Sequence, residues 1–326
     1  MENQLTWYNK TIRQYFSNDE LKQLVEKSDW QGFWQILYTW LWIGFAFAIV
    51  GLYPNVFIVI IALFIIGGKQ LACAIIMHDC SHDSLFKTSK LNTFFGNWFG
   101  AYPILQNLEQ YKPYHREHHI YTGLDNDPDL SLTKGYPTTI LSMLRKFFRD
   151  LSGVTGLKGQ IGVIAMHIGI LQYNLGGIIK RQQLKFSKQS VLTALKNLAG
   201  PVSANLLIFA FLFIIGKPML YLLWIGALLT TYNFCLRVRS IAEHSVVENR
   251  QDPSKNTRTT YANIIEQVLF APLNVNYHAE HHLFMGVPCY NLPYMHQKLI
   301  ERGYYSIGVI EQNYWSVIKK AMSLSK

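Results

Sequence analysis

Paired cysteines, a glycine-rich nucleotide fingerprint and a run of basic residues are all missing from this chain. Its four cysteines, Cys73, Cys80, Cys235 and Cys289, include no Cys-x-x-Cys pair, so neither a disulfide framework nor an iron–sulfur cluster is expected. No glycine fingerprint follows a strand-like segment, and no nucleotide cofactor is expected to carry electrons within the chain. The net charge of +10 is dispersed, which argues against a nucleic-acid partner and for a surface facing lipid headgroups. Charge itself is scarce: Asp, Glu, Lys and Arg make up 15% of the residues, while 50% are hydrophobic. An ordinary soluble domain carries about 25% charged residues.

That scarcity is local. From Trp30 to Gly68 there is no Asp, Glu, Lys, Arg or His, and Tyr53-Pro54-Asn55 breaks the run in its middle. A helix needs about 20 apolar residues to cross a bilayer, so the run predicts two spans joined by a tight turn. Asn197–Gly216 and Met219–Leu236 flank Gly216-Lys217-Pro218 and predict a second hairpin. Lys217 is the one basic residue in the two outer turns, so the positive-inside rule places the three remaining polar regions in the cytoplasm.

The expected fold is therefore an all-α integral membrane protein, with four transmembrane helices in two hairpins and a cytoplasmic helical cap. Residues 1–326 read as one domain: a polar arm (1–29), a first hairpin (30–76), a cytoplasmic or interfacial region (77–196), a second hairpin (197–236) and a C-terminal cytoplasmic region (237–326). The arm shows no cleavable signal pattern. Its Leu21, Leu24 and Val25 predict a short amphipathic helix lying on the membrane surface. Lys69 is expected to snorkel, and Arg237 and Arg239 to anchor the membrane edge. Phe94, Phe95, Trp98, Phe99 and Tyr102, punctuated by Gly96, Gly100 and Pro103, read as interfacial, with a substrate-tunnel wall as the alternative. Ile161–Gly177 reads as a membrane-surface or re-entrant segment.

Histidine is also sparse, yet eight of the eleven stand in three clusters. In His115-Arg116-Glu117-His118-His119, helical geometry puts His115 and His119 one turn apart, while His118 and His119 diverge by about 100°. One such segment can feed two metal ions. His278-Ala279-Glu280-His281-His282 repeats the pattern, and His78 and His82 repeat the i,i+4 spacing. A single pair is a weak sign, since a helix can carry two histidines on a solvated face. Three clusters in a chain otherwise poor in histidine point to metal.

His244, beside Glu243 at the end of the last span, joins as a ninth candidate. His167, on an apolar stretch, and His296, on what reads as an amphipathic surface helix, are expected to bind none. Cys80 reads as a buried spacer. Asp79, Asp83, Glu117, Glu243 and Glu280 adjoin the clusters and could accept an N–H from a ligating imidazole, with ordinary salt bridges as the alternative.

These motifs give the chain a family likeness. His78-Asp79-Cys80-Ser81-His82, Asp127-Pro128-Asp129, Glu243-His244 and Tyr277-His278-Ala279-Glu280-His281-His282-Leu283-Phe284 resemble the membrane fatty acid desaturases, over most of the chain from the first span to Leu292. Two positions depart from related sequences. Ser240 stands where acyl-CoA desaturases commonly have an Asn that holds a metal-bound water, and Met285 where a Pro is frequent. The resemblance implies a di-iron centre on His78, His82, His115, His118, His119, His244, His278, His281 and His282. Donor chemistry agrees, because so many imidazoles exceed the needs of one ion, and zinc is content with three or four ligands and has no redox change.

The resemblance further implies oxygen-dependent desaturation of an acyl chain carried as a lipid, on coenzyme A or on an acyl carrier protein. Electrons would come from a separate ferredoxin or b-type cytochrome with its reductase. The compact chain points to a bacterial inner membrane. A lipid or carotenoid hydroxylase or ketolase of the same superfamily is the second reading. A non-catalytic metal protein, such as a His-rich transporter, is the third, and the near absence of ionisable residues from the spans argues against it.

Overall fold

The computed structural model describes residues 4–177, 179–182 and 187–324. Residues 1–3 of the expected N-terminal arm, 178 and 183–186 of the central region, and 325–326 at the end lie outside that description. The architecture is helical. Strand among the described residues is confined to Thr259–Thr260 (β1) and Ile310–Glu311 (β2), which pair in parallel. Among the described residues, four helices are long and apolar enough to cross a membrane: Asp29–Leu52, Val56–Ser81, Lys188–Ile214 and Pro218–His244.

The N-terminal arm departs from its expected place on the membrane surface. It forms α1 (Gln4–Tyr15) and α2 (Asn18–Leu24), the second opened by a capping box between Ser17 and Glu20. Tyr8, Ile12, Phe16, Leu21 and Leu24 are buried in the protein's own core. α1 packs on the helices that bear His115 and His278, and the Tyr8 hydroxyl donates to Asn256 Oδ1 at 3.1 Å. Its apolar stripe is satisfied by protein rather than by lipid.

α3 (Asp29–Leu52) starts where Ser28 Oγ accepts the Gln31 N–H, and ends before Pro54, which has no N–H to continue a helix. Asn55 then caps α4 (Val56–Ser81) by accepting the Ile58 N–H. α3 and α4 pack together along their lengths. α4 is the helix around which the rest is arranged, every residue from Gly67 to Ser81 being buried except Ala74. A Cβ on Gly67 would lie 2.3 Å from Thr231 Oγ1, so only glycine admits the close approach of the last membrane-length helix there. Since about 20 residues cross a bilayer core, the 26-residue α4 carries His78 beyond its apolar run.

Lys69 does not snorkel. It is 2% exposed, with its ammonium 5.3 Å and 5.6 Å from the ring centroids of Tyr38 and Trp42, close enough for cation–π attraction. The outward faces instead carry Trp34, Leu41 and Phe45 of α3, Phe57 and Ile61 of α4, and Phe211 and Phe213 further on, all exposed. An apolar surface of this extent suits lipid.

The aromatic stretch folds as α5 (Ser89–Phe95), a π-helical turn over Gly96–Ala101 and a 3₁₀ turn over Tyr102–Ile104. It is tied to the membrane-length helices, because Asn205 Nδ2 and Trp224 Nε1 each donate to Pro103 O at 3.3 Å. α6 (Leu108–Tyr121) follows, capped by Asn107, and then α7 (Leu130–Thr133), α8 (Ile140–Leu151) and α9 (Val154–His167). α10 (Lys188–Ile214) is the third long apolar helix; the fourth divides at Thr230 into α11 (Tyr221–Leu229) and α12 (Thr231–His244). The C-terminal region adds α13 (Ile264–Leu269), α14 (His278–Leu283), α15 (Leu292–Glu301) and α16 (Tyr314–Ala321). Arg237 is not a membrane-edge anchor: its Nε and Nη2 donate to both oxygens of the fully buried Asp150 on α8, at 2.5 Å and 2.9 Å.

Candidate metal centre

Four elements deliver the histidines. α4 brings His78 and, at its C-terminal cap, His82; α6 brings His115, His118 and His119; α12 ends on His244; α14 brings His278, His281 and His282. α14 has six residues, too few to stand alone as a helix. Burial of Ala279 and Leu283 holds it in place.

All nine histidines expected from the sequence come together, in two groups that could each hold a metal ion. His78, His82, His115, His119 and His281 form one; His118, His244, His278 and His282 form the other, with donor atoms within 4.8 Å of one another in each. The partition follows helical geometry. Residues one turn apart stay together, His115 with His119 and His278 with His282, while the odd members His118 and His281 cross to the opposite group.

The donor atoms fit cations. In the five-histidine group, His119 Nε2 lies 3.0 Å from His115 Nε2 and 3.1 Å from His281 Nε2, and Nε2 of both His78 and His82 has no partner among the described residues. In the other, His278 Nε2 lies 2.8 Å from His244 Nε2 and 3.1 Å from His282 Nε2. A neutral imidazole has one proton, so three converging Nε2 atoms cannot all be satisfied by hydrogen bonds, whereas a shared cation satisfies them. Burial, reinforced by the neighbouring histidines, holds His115, His119, His278, His281 and His282 well below the usual histidine range, in the neutral form a metal requires. Burial and the Lys112 ammonium bring His82 down to about 3.

Several rings are fixed from behind. His78 Nδ1 donates to Asp79 Oδ1 at 2.7 Å, His118 Nδ1 to Asp127 Oδ1 at 2.8 Å, and His244 Nδ1 to the Asn256 carbonyl at 3.1 Å. Each bond leaves Nε2 as the free lone pair. Burial opposes protonation of His118, but the Asp127 carboxylate outweighs it and raises the pKa to about 9, so a metal taking this Nε2 displaces a proton from it. Asp127 receives further bonds from the N–H groups of Gly123 and Asp129.

The acidic candidates divide accordingly. Asp79 serves its own neighbour, and Glu243 Oε1 lies 3.5 Å from His278 Nδ1 while accepting from Arg239 Nε at 2.6 Å. Asp83 makes a salt bridge with Lys112 at a half-open surface, and Glu117 has no hydrogen bond among the described residues. Glu280 is fully buried but turned from both groups, toward Thr259, Tyr305 and His296. His296 is thus not on a surface; its Nδ1 lies 2.5 Å from Glu280 Oε1. His167 bonds Gln110 Oε1 and the Leu105 carbonyl through its two ring nitrogens, away from the groups. Cys80 is buried and outside them. Sequence reasoning did not single out Asp127 as the partner of His118; the Asp127-Pro128-Asp129 turn nine residues on was the available signal.

A cavity of about 110 Å³ touches both groups, at His78 and His115 on one side and His118, His244 and His278 on the other. Phe94, Phe95, Trp98, Phe99 and Tyr102 do not line it; Phe99 instead borders a separate apolar cleft with Trp30, Phe33 and Trp40. Ser240 does line the cavity at the histidines, with its hydroxyl donating to the Leu236 carbonyl at 2.9 Å, and Arg239 lines it too rather than sitting at a membrane edge.

Four membrane-length apolar helices and two buried imidazole clusters that could each hold a metal ion describe a helical protein of the integral-membrane class. The fatty acid desaturase family profile matches residues 52–313, and the chain belongs to that family. Similar proteins include dihydrorhizobitoxine desaturase of Bradyrhizobium elkanii, 27% identical over 241 residues (70% of this chain, 64% of that protein). The sn-1 oleoyl-lipid 12-desaturase of Synechocystis is 23% identical over 247 residues (72% and 66%). A sphingolipid delta(4)-desaturase/C4-monooxygenase of Mus musculus is 28% identical over 222 residues (67% and 58%). The matched part of the chain spans 64%, 66% and 58% of the length of these relatives, less than two thirds in each case.

Proposed function

We propose that this chain is an oxygen-dependent di-iron oxidoreductase that introduces a double bond into an acyl-chain lipid. The observation that carries the reading is the convergence of nine histidines into two adjoining groups on a frame of membrane-length helices. His78, His82, His115, His119 and His281 would hold one iron, and His118, His244, His278 and His282 the other. Iron is favoured over zinc because the chemistry needs a redox change and the donors outnumber what zinc takes. The iron pair, when bound, supplies oxygen activation and attack on an unactivated C–H bond.

The chain's own residues do the positioning. Asp79 and Asp127 hold the Nδ1 protons of His78 and His118 and so aim Nε2 inward. Burial of the rings keeps bulk water from the centre. Two hydrogens leave adjacent carbons; with dioxygen, two electrons and two protons the products are an alkene and two waters. The electrons come from a separate ferredoxin, or a b-type cytochrome, with its reductase. The long helices form two hairpins, and the histidine-bearing helices a cap on the cytoplasmic side of a bacterial inner membrane, where the basic regions lie. The acyl chain is carried as a lipid, on coenzyme A or on an acyl carrier protein.

A second reading, hydroxylation, is favoured by the relative whose name includes a C4-monooxygenase. Whole-lipid mass spectrometry on a host expressing the chain with ferredoxin and reductase, against His118→Ala, separates the two. A species lighter by two hydrogens and absent from the variant supports desaturation, and one heavier by an oxygen supports hydroxylation. Identical lipids in both strains, at full iron content in the wild type, would overturn both.

A further inference from the structure

Residues 256–260 cross the end of α12, where the carbonyls of a helix's last turn lack partners within the helix. Thr260 Oγ1 donates to the Ala242 carbonyl at 3.3 Å, the Arg258 N–H to the Glu243 carbonyl at 3.2 Å, and Arg258 Nη2 to the Ser245 carbonyl. On its other side the segment reaches α14: the Thr260 N–H donates to the Asn276 carbonyl at 3.0 Å, and Thr259 Oγ1 to Glu280. One short stretch of chain thus fastens two of the elements that bear histidines.

At its head stands Asn256, 1% exposed. Its main-chain carbonyl accepts His244 Nδ1, while its side-chain amide uses its oxygen and its nitrogen alike. Oδ1 accepts the Tyr8 hydroxyl, and Nδ2 donates to Gln4 Oε1 at 3.0 Å and to the Thr122 carbonyl at 3.2 Å. Tyr8 and Gln4 belong to α1, so the N-terminal arm grips the residue that aims His244. The Tyr8 ring also meets His282 edge-on, with centroids 6.2 Å apart. Among the described residues, neither Tyr8 nor Gln4 makes such a contact with the five-membered group.

His244 is where this hold matters most. It is the one member of the four-histidine group that is only partly buried, and a surface cleft of about 530 Å³ reaches it beside Asp127 and Asn256. An imidazole open to water is kept on its metal by orientation rather than by enclosure, and a carbonyl orients a ring only as well as it is itself held.

On the di-iron reading above, we infer that Tyr8 and Gln4, acting through Asn256, are positioning residues for the four-histidine group, so that the N-terminal arm sets how tightly that one iron is held. The iron of the five-membered group is independent of the arm.

The test uses the full chain in lipid nanodiscs, loaded anaerobically with ferrous iron. Iron release to a water-soluble chelator is followed together with near-infrared magnetic circular dichroism, which reports ferrous coordination. Asn256→Ala keeps the carbonyl and removes its anchors; one of the two irons should leave about 10–100-fold faster, the range for losing an outer partner of a metal ligand. Tyr8→Phe keeps the ring and removes one bond to Asn256, and should speed the same iron about fivefold, the scale of one neutral hydrogen bond. In both variants the other iron should keep its rate, and one component of the ferrous spectrum should shift.

Ile12→Ala opens a cavity in the core on the same helix and leaves the bonds of Asn256 in place. It should therefore lower the unfolding temperature more than Tyr8→Phe does, yet release iron less. Should Asn256→Ala fail to fold, that pair decides alone. Release unchanged from wild type, equal acceleration of both irons, or rates that follow unfolding temperature would overturn the inference and leave the di-iron reading standing. A wild type holding fewer than two irons would overturn that reading, and the inference with it.

Discussion

The two histidine groups are neighbours but not equals. One gathers five imidazoles and the other four. In the five-membered group, among the described residues, only His78 is backed by a carboxylate, and Nδ1 of His115 and of His119 has no partner. In the four-membered group His118 is held by Asp127, His244 by a carbonyl and His278 lies near Glu243, while Thr122 Oγ1 is 3.3 Å from His282 Nδ1. The contrast separates two ways of securing a metal, by number of donors and by fixed orientation of fewer donors. A site short of donors depends more on each of them and on what stands behind them.

The largest expected effect follows from that. His118→Ala leaves three imidazoles and should remove iron from its group and abolish turnover, whereas His82→Ala leaves four and should retain most of its iron. Iron per purified chain, by elemental mass spectrometry, checks this; equal losses would erase the distinction. Next comes Asp127→Asn, expected to cost about 10–100-fold in metal affinity or activity. Asp79→Asn, acting on a group with a donor to spare, should cost less in a chelator competition assay.

Below these lie changes that should spare iron altogether. Arg237→Ala strands the buried Asp150 carboxylate and should cost about 3–5 kcal/mol of stability, read as a lower unfolding temperature with unchanged iron per folded chain. His296→Ala removes a partner of Glu280 and should cost about 1–3 kcal/mol, again without loss of iron. Iron loss in His296→Ala would mean that Glu280 orients α14, and the comparison of the groups would then have to include it.

Much of the centre was legible because it obeys local rules. The i, i+3, i+4 spacing of His115, His118 and His119 dictates which face each occupies, so the split into two groups follows from helix geometry. The long apolar helices were equally legible, since the run from Trp30 to Gly68 answers to bilayer thickness alone. What escaped was decided by contacts distant in sequence. Lys69 looks ready to snorkel until Tyr38 and Trp42 close over it, and Arg237 looks like an edge anchor until Asp150 arrives from another helix. The stripe on α2 reads the same whether lipid or protein covers it. His296 and Glu280 each suggested a different role alone, and only their contact gives a common one.

Two histidine groups call for two irons per chain, and a direct count tests this. Full-length protein purified in nanodiscs after anaerobic iron loading should hold two irons per chain, with one remaining in His118→Ala. A wild-type count of one, or zinc retained in preference to iron, would contradict the account.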